Sequence, residues 1–233
     1  MCQNCLSIFP DISKINLCDY YTASYRHDEN FFEKIVNKLN YLPKLNIIKS
    51  IFNSKNISIL DVGCGNGNFL KELPQGYNKT GIDIKIDNQK QNLLQADFLK
   101  HKFKQKYDLI CFWHSLEHFV KPIDAIIKAK KLLNKNGVII ISVPVSDSFS
   151  FKFNQNKAFH LDPPRHIFIP NTNKFKNILN NYFSIVKITS QPFEFPLDLF
   201  WTLKTSHYQY LIPTFPVLKL IHTETKIYIC KKN

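Results

Sequence analysis

The stretch LDVGCGNGNF, residues 60–69, decides the fold of this chain. It joins an apolar run to the amphipathic segment FLKEL, so it lies where a strand gives way to a helix. Gly63, Gly65 and Gly67 let the backbone turn sharply and let a ligand approach closely. A dinucleotide fingerprint would need glycine or alanine where this chain has Asn68. The stretch therefore predicts a ligand-binding turn of another kind at the end of a strand.

Apolar runs alternate with amphipathic segments around this turn. The runs predicted to be strands are ISILDVG, KTGIDI, NLLQAD, YDLICFW and VIIISVPV. NFLKEL and PIDAIIKAKKLL have helical spacing, and Asn136–Gly137 is predicted to end the second of these helices. Because strands and helices alternate, the sequence predicts an α/β fold with a parallel sheet and helices on both faces.

The flanking segments add further elements. Residues 30–52 predict two short helices that are broken at Pro43. Asn171 or Thr172 is expected to cap a helix that runs through Asn181. FSIVKITS and TKIYICKK are predicted to be the last two strands.

Two carboxylates follow the glycine turn at positions that suit a nucleoside. Asp83 ends the second predicted strand, where an acid can bind both hydroxyls of a ribose. Asp97 ends the third strand and can accept a hydrogen bond from an adenine amino group while Phe98 lies against the ring. The alternative is that these residues belong to an α/β domain that binds a nucleotide of a different kind.

LDVGCGNGNFL, GIDI, QADF and YDLICFWHSLEHF, in this order, resemble the motifs of class I S-adenosylmethionine-dependent methyltransferases. The resemblance covers most of residues 57–145. It implies a doubly wound, mainly parallel sheet of seven strands, with the last strand antiparallel and the last two inverted in order. It also implies S-adenosyl-L-methionine as the cofactor. The residues expected to bind this cofactor are Asp61, Gly63, Cys64, Gly65, Gly67, Asp83, Ile84, Asp97, Phe98 and Trp113.

The stretch FWHSLEHF, residues 112–119, places two histidines and a glutamate directly after the fourth strand. The carboxyl end of that strand meets the ligand crevice of an open α/β sheet. If the backbone turns helical there, His114, Glu117 and His118 converge near the transferred methyl group. Three roles stay open for this cluster: acid–base catalysis or substrate orientation, structural hydrogen bonding, and metal binding.

A second polar stretch, HLDPPRHIF at residues 160–168, lies in the connection after the fifth strand, where a loop can close over the crevice. Substrate contact and simple anchoring of this loop both stay open. His166 is assigned to the catalytic set with His114, Glu117 and His118. The expected substrate contacts are His160, Asp162 and Arg165.

The pairing of WHSLEH with LDPPRH is similar to a methyltransferase subgroup of bacterial sugar, polysaccharide and secondary metabolism. That subgroup is related to the O-methyltransferases of ubiquinone biosynthesis, in which a Glu-x-x-Glu-His cluster can bind a divalent metal. Here His114 replaces the first glutamate, and hard cations prefer oxygen ligands. We therefore expect no metal ligand among the site residues.

The resemblance implies methyl transfer to a small acceptor, expected to be a hydroxyl of a sugar or of a lipid- or nucleotide-linked intermediate. A quinone- or phenol-type O-methyltransferase is the first alternative, and a non-catalytic module that only binds the cofactor is the second. The sulfonium leaves as a neutral group, so most of the acceleration can come from alignment in a dry pocket. A hydroxyl proton would need an acceptor such as histidine.

The two ends of the chain carry separate expectations. Residues 1–30 are interpreted as an irregular leader, in which Cys2-x-x-Cys5 resembles half of a zinc ribbon. Residues 31–233 are assigned to the methyltransferase domain. Within it, the aromatic insertion at residues 191–222 is expected to cap the sheet or to make a peripheral membrane contact.

Composition limits the class of protein. With 233 residues, 44% of them apolar, the chain suits one globular domain. The net charge of +13 is diffuse and arginine is scarce, so nucleic acid is not the expected main substrate. The sequence shows no export signal and no membrane-length apolar run, so a cytoplasmic location without a disulfide framework is expected. The oligomeric state stays open.

Overall fold

One sheet runs through the computed structural model of this chain. Its strands are β1 (Ser58–Val62), β2 (Asn78–Asp83), β3 (Leu93–Gln95), β4 (Tyr107–Trp113), β5 (Leu133–Pro144), β6 (Phe183–Thr189) and β7 (Thr225–Lys232). They lie in the order β3-β2-β1-β4-β5-β7-β6. Strands β1 to β5 are parallel, and β7 is antiparallel to both of its neighbours. The predicted seven-stranded α/β fold is confirmed, including the inverted order of the last two strands.

The helices that the structure describes are α1 (Phe31–Ile51), α2 (Asn68–Glu72), α3 (Pro122–Leu132), α4 (Thr172–Asn180) and a 3₁₀ helix at Leu116–His118. None of these helices combines the length and the apolar character needed to cross a membrane. The residues described are 2–4, 6–11, 13, 31–54, 56–87, 90–148, 151–152, 158, 160–190 and 224–233. Cys5, the cap at residues 191–222 and most of the leader lie outside these ranges. The half zinc ribbon, the cap, the membrane contact and the domain bounds therefore stay predictions.

Apolar residues cover both faces of the sheet because alternate residues of a strand point to opposite faces. On one face, Leu60 and Ile110 pack with Ile126 of α3 and with α4. On the other face, Ile59 packs with Ile48 of α1 and with α2. The central strands are thus buried on both sides, as their nearly continuous apolar sequences indicate.

The predicted helix break at Pro43 is wrong, because α1 continues through this residue. Proline removes one backbone donor and normally disfavours the interior of a helix. Here the side chains of Tyr41, Leu45 and Ile48 pack on the sheet. Most helical stability comes from such packing, so the tertiary contacts outweigh the local cost.

The predicted role of Asn136–Gly137 as a helix stop is also wrong. Helix α3 ends at Leu132, and both residues lie inside β5, where Asn136 has a φ of +65°. Leu133 of β5 pairs with Tyr107 of β4, and the next pair is Val138 with Leu109. Between these two pairs β5 therefore has four residues where β4 has one. The Asn-Gly pair therefore belongs to an irregularity within the strand, where extra residues are accommodated.

The predicted cap of α4 is confirmed at Asn171. Its side-chain oxygen accepts a hydrogen bond from the backbone N–H of Lys174 at 3.3 Å. The cap satisfies one of the donors that have no partner within the first turn of a helix. It fixes where the chain enters α4 after the 160–168 stretch.

The carboxyl ends of β1 and β4 meet near the centre of the sheet. From β1 the chain goes to β2 on one side, whereas β4 pairs with β5 on the other. Such a reversal leaves a crevice at the carboxyl ends of the strands. Gly63 directly follows β1 and His114 directly follows β4. The topology thus brings the glycine turn and the histidine–glutamate stretch to the same crevice.

Candidate active site

The glycine turn has left-handed backbone at Gly63, Gly65 and Gly67, with φ values of +78°, +54° and +71°. A Cβ atom added at Gly63 would lie 2.4 Å from Cβ of Ser115. Ser115 precedes the 3₁₀ helix, and its hydroxyl donates to the carbonyl of Val62 at 2.6 Å. Glycine at position 63 therefore serves two needs, namely the positive φ and the close approach of the segment after β4.

Asp83 is tied directly to the glycine turn. One carboxylate oxygen accepts a hydrogen bond from the N–H of Gly65 at 2.8 Å, and the other accepts from the N–H of Lys85 at 3.0 Å. Ile84, the next residue, leaves 55% of its surface exposed. The predicted ribose ligand and an exposed apolar side chain thus stand together beside the turn.

The remaining predicted adenine contacts differ in their surroundings. Asp97 accepts a hydrogen bond from the N–H of Leu99 at 2.8 Å and keeps its side chain partly exposed. Phe98 is buried in the core, where its ring lies edge-on to the rings of Phe112 and Phe119. The structure therefore uses Phe98 for packing, whereas Asp97 is accessible to a ligand.

Two buried ionisable side chains that interact electrostatically lie next to the glycine turn. Asp61, at the carboxyl end of β1, is almost fully buried, and Lys44 of α1 is buried as well. Burial raises the pKa of Asp61 to about 7, although the charge of Lys44 acts in the opposite direction. The Lys44 ammonium also lies 5.0 Å from the ring centroid of Trp113. This arrangement offers one cation and one carboxylate at the same end of the sheet.

Sequence reasoning missed Lys44. It lies far from the glycine motif, within a helix whose apolar residues Tyr41, Leu45 and Ile48 face the sheet. A lysine four residues before Ile48 shares the apolar face of the helix. That spacing was the one signal in the sequence that could have indicated a buried and paired lysine.

Glu117 lies within the 3₁₀ helix and is completely buried. Its Oε1 lies 3.3 Å from Nδ1 of His114, and among the described residues neither carboxylate oxygen accepts a hydrogen bond of good geometry. Burial alone would raise the pKa of Glu117, but the imidazoles of His114, His118 and His166 outweigh it and lower the pKa to about 2. This lowering depends on positive charge on the neighbouring histidines, so Glu117 is ionised when at least one of them is protonated.

The two polar stretches predicted separately meet at His118 and His166. Nδ1 of His118 lies 2.9 Å from the carbonyl of Arg165, and Nδ1 of His166 lies 2.6 Å from the carbonyl of His160. Because a carbonyl only accepts, both Nδ1 atoms carry the hydrogen, and in each neutral ring the lone pair is on Nε2. Burial lowers the pKa of His166, which favours its neutral form. One ligand atom from each of Glu117, His118 and His166 lies within 4.8 Å of the others.

The other residues predicted in these stretches surround this group. The ring of buried His160 is stacked at 6.3 Å from the rings of both His114 and His166. Arg165 forms an ion pair with Asp162. These contacts place all seven predicted catalytic and substrate residues in one region, but they also occupy the Arg165 guanidinium. A substrate that binds Arg165 would have to share it with Asp162.

Comparisons with known proteins agree on one family. A family model described as a methyltransferase domain matches residues 26–182. A ubiquinone biosynthesis O-methyltransferase of Pelagibacter ubique is 36% identical over 102 residues, which cover 38% of this chain and 42% of that protein. An uncharacterized protein of Methanocaldococcus jannaschii is 31% identical over 122 residues, which cover 49% of this chain and 53% of that protein. The chain thus spans about half the length of the curated relatives that it matches.

Solved structures share the fold at low sequence identity. Magnesium protoporphyrin IX methyltransferase from Synechocystis, with bound S-adenosylhomocysteine, has a TM-score of 0.61 at 14% identity, with 93% of this chain and 98% of that chain covered. A mycolic acid cyclopropane synthase has a TM-score of 0.58 at 15% identity, with 97% and 99% covered. At these identities the likeness concerns the fold alone.

Proposed function

Because this chain belongs to the methyltransferase-domain family, we propose that it transfers a methyl group from S-adenosyl-L-methionine to a hydroxyl of a small acceptor. One observation carries the choice of a hydroxyl. Glu117, His118 and His166 bring a buried carboxylate and two imidazoles together within 4.8 Å. A hydroxyl must lose a proton when it is methylated, and a neutral imidazole can accept that proton.

The residues beside the glycine turn fit the cofactor. The left-handed turn leaves room for close approach, and Asp83, held by the N–H of Gly65, can accept from ribose hydroxyls. We assign the ammonium of the methionine part to Asp61 and its carboxylate to Lys44, since the two side chains match these charges. When bound, the cofactor supplies a methyl group on a positively charged sulfur.

On the acceptor side, Glu117, His118 and His166, which we call the histidine–glutamate group, provide the base. Nδ1–H of His118 is held by the carbonyl of Arg165, which leaves Nε2 as the proton acceptor. The buried negative charge of Glu117 stabilises the imidazolium that forms. Through Nε2, His166 accepts a hydrogen bond from a second donor group of the acceptor, separate from the reacting hydroxyl, and so orients the acceptor. Glu117 is completely buried, whereas His118 and His166 are partly exposed, so an acceptor can reach the two imidazoles.

The pKa of Asp61 predicts a pH-dependent cofactor affinity. Because this pKa is raised to about 7, the carboxylate is mostly ionised at pH 8 and mostly protonated at pH 6. A protonated Asp61 cannot pair with an ammonium, so we expect affinity for S-adenosylhomocysteine to fall about tenfold from pH 8 to pH 6. Titration calorimetry at both pH values would measure this change. Asp61→Asn should bind weakly at both, and an equal pH effect in that variant would assign the titration to another group.

The same three side chains also fit a divalent metal ion. Two imidazoles and one carboxylate suit zinc better than magnesium, and metal-bound histidines commonly donate their second N–H to a carbonyl, as His118 and His166 do here. In that role His118 would hold the ion through Nε2 and could not accept the proton. The acid–base assignment and the metal assignment therefore exclude each other.

Chelation separates these two roles. With His118 as the base, we expect activity to be unchanged after dialysis against EDTA and to fall when zinc is added, since zinc would occupy both Nε2 atoms. The assay is the release of S-adenosylhomocysteine, combined with metal analysis of the dialysed protein. If activity is lost on chelation and recovers with one equivalent of metal, the three side chains form a metal site and His118 is not the base.

The acceptor class needs a substrate panel. Similarity to ubiquinone biosynthesis O-methyltransferases favours a quinol or phenol as the second candidate, beside the sugar or the lipid- or nucleotide-linked intermediate. Release of S-adenosylhomocysteine with catechols, quinols and sugar nucleotides would test both candidates. If the protein binds the cofactor tightly but methylates none of a wide panel, it is a cofactor-binding module rather than an enzyme.

A further inference from the structure

A short segment of the leader pairs with the chain that follows His166. The N–H of Ile8 donates to the carbonyl of Ile169 at 2.8 Å, and the N–H of Ile169 donates back to the carbonyl of Ile8 at 3.0 Å. The side chain of Ile169 is completely buried, and Ile8 packs against it. Residues 6–9, which we call the strap, thus form a two-bond antiparallel bridge to the segment at residues 167–171, which we call the return segment.

Side chains reinforce this bridge at both ends. The hydroxyl of Ser7 accepts a hydrogen bond from the N–H of Asn171 at 3.2 Å. The ring of Phe9 lies 5.6 Å from the ring of Phe168. Each residue of the strap from 7 to 9 therefore contacts the return segment.

The strap is also tied to the end of β5. The hydroxyl of Ser146 donates to the carbonyl of Leu6 at 2.7 Å, and the N–H of Ser146 donates to the carbonyl of Pro170 at 2.9 Å. Ser146 thereby holds the strap and the return segment at once. Both are fixed to the sheet just beyond its carboxyl edge, where the candidate active site lies.

On its other side, the return segment is bonded to the histidine–glutamate group. The backbone N–H groups of Ile167 and Phe168 both donate to the carbonyl of Glu117, at 2.8 Å and 3.1 Å. His166 immediately precedes this pair of donors. The return segment therefore lies between the strap and Glu117, and it belongs to no helix or strand of its own apart from the bridge to Ile8.

We infer that the strap is a positioning element of the acceptor half of the site: by pairing with the return segment it holds His166 against Glu117 and His118. This inference rests on the proposed function for the role of the three side chains, but the pairing itself can be measured without turnover. A loop of irregular structure opens easily when few bonds hold it. Without the strap, the return segment would be held through its backbone hydrogen bonds to Glu117 and Ser146, with none on the side of Ile8.

The test replaces Ile8 by proline and, as a matched control, by alanine. Proline removes the N–H that donates to Ile169, whereas alanine keeps the backbone bridge and shortens the side chain. In Ile8→Pro we expect hydrogen exchange at the amides of Ile167, Phe168 and Ile169 to accelerate about tenfold or more relative to Ile8→Ala. Exchange in β4 and β5 should stay unchanged in both variants and thereby report an intact fold.

Function provides the second readout. We expect Ile8→Pro to bind S-adenosylhomocysteine within about twofold of the wild type and to lose about tenfold in kcat with any acceptor that the panel identifies. Unchanged exchange at residues 167–169, or faster exchange with unchanged turnover, would overturn the inference. If the wild type methylates nothing, the proposed function fails, yet the exchange result still decides whether the strap positions the return segment. If Ile8→Pro does not fold, Ser7→Ala, which removes the hydroxyl that accepts from the N–H of Asn171, must show the same effect in weaker form.

Discussion

Replacing Gly63 by alanine is expected to lower the affinity for S-adenosylhomocysteine at least about a hundredfold and the melting temperature by about 10 °C. Gly63 has a φ of +78°, and the added Cβ would lie 2.4 Å from Cβ of Ser115. Neither atom is the end of a flexible side chain, so the backbone itself must move. Left-handed strain and overpacking each cost about 1–3 kcal/mol. The displaced turn would no longer accommodate the cofactor.

The turn contains its own control. Gly65 also has a positive φ, of +54°, but a Cβ added there meets nothing within 4 Å. Gly65→Ala should therefore show only the strain, with a fall in melting temperature of about 3 °C. In the Gly63→Ala background, Ser115→Gly removes the clashing atom and should recover part of the lost stability. Thermal unfolding and calorimetry on these variants give the comparison. A Gly63→Ala protein that binds the cofactor like the wild type would contradict the assigned site.

Replacing His118 by alanine should slow methyl transfer at least about tenfold, because general-base catalysis typically contributes a hundredfold or more. Binding of S-adenosylhomocysteine should remain within about twofold of the wild type, since His118 contacts the 160–168 stretch and lies outside the group of residues assigned to the cofactor. The measurements are single-turnover methyl transfer and calorimetry. A parallel loss of cofactor binding would indicate a structural role instead.

His101 provides a matched substitution for this experiment. It lies outside the histidine–glutamate group and contacts the ring of Phe103. His101→Ala removes an equal side chain and should leave methyl transfer within about twofold of the wild type. If His118→Ala transfers the methyl group to the true acceptor as fast as His101→Ala does, His118 has no part in the mechanism.

Local sequence signals were reliable where local and tertiary requirements agree. The glycines at 63, 65 and 67 all have positive φ, and Asn171 caps α4 as its residue type indicates. Pro43 and Asn136–Gly137 gave the usual signals of a helix break and a turn, yet packing carries α1 through the proline and β5 accommodates the Asn-Gly pair. Rules that concern neighbouring residues do not include the free energy of contacts with distant ones.

For the candidate site, the sequence indicated candidate residues but not how they pair. The meeting of His118 with His166, and of Lys44 with Trp113, depends on the order of the strands. Such contacts leave no spacing pattern along the chain. The tautomers of both histidines likewise depend on carbonyl groups of the 160–168 stretch, whose positions the sequence does not reveal. The catalytic and binding roles of these residues stay predictions.

The antiparallel pairing of β6 with β7 has a consequence for how such a protein can diversify. Thr189, the last residue of β6, lies opposite Ile227 near the start of β7, and Thr225 lies opposite Pro144 at the end of β5. The chain therefore leaves and re-enters the sheet at adjacent points, on the edge that carries the candidate site. Paired strands lie about 5 Å apart, so segments of very different length can join them without disturbing the sheet. This junction can therefore accept segments of different length and sequence beside the candidate site.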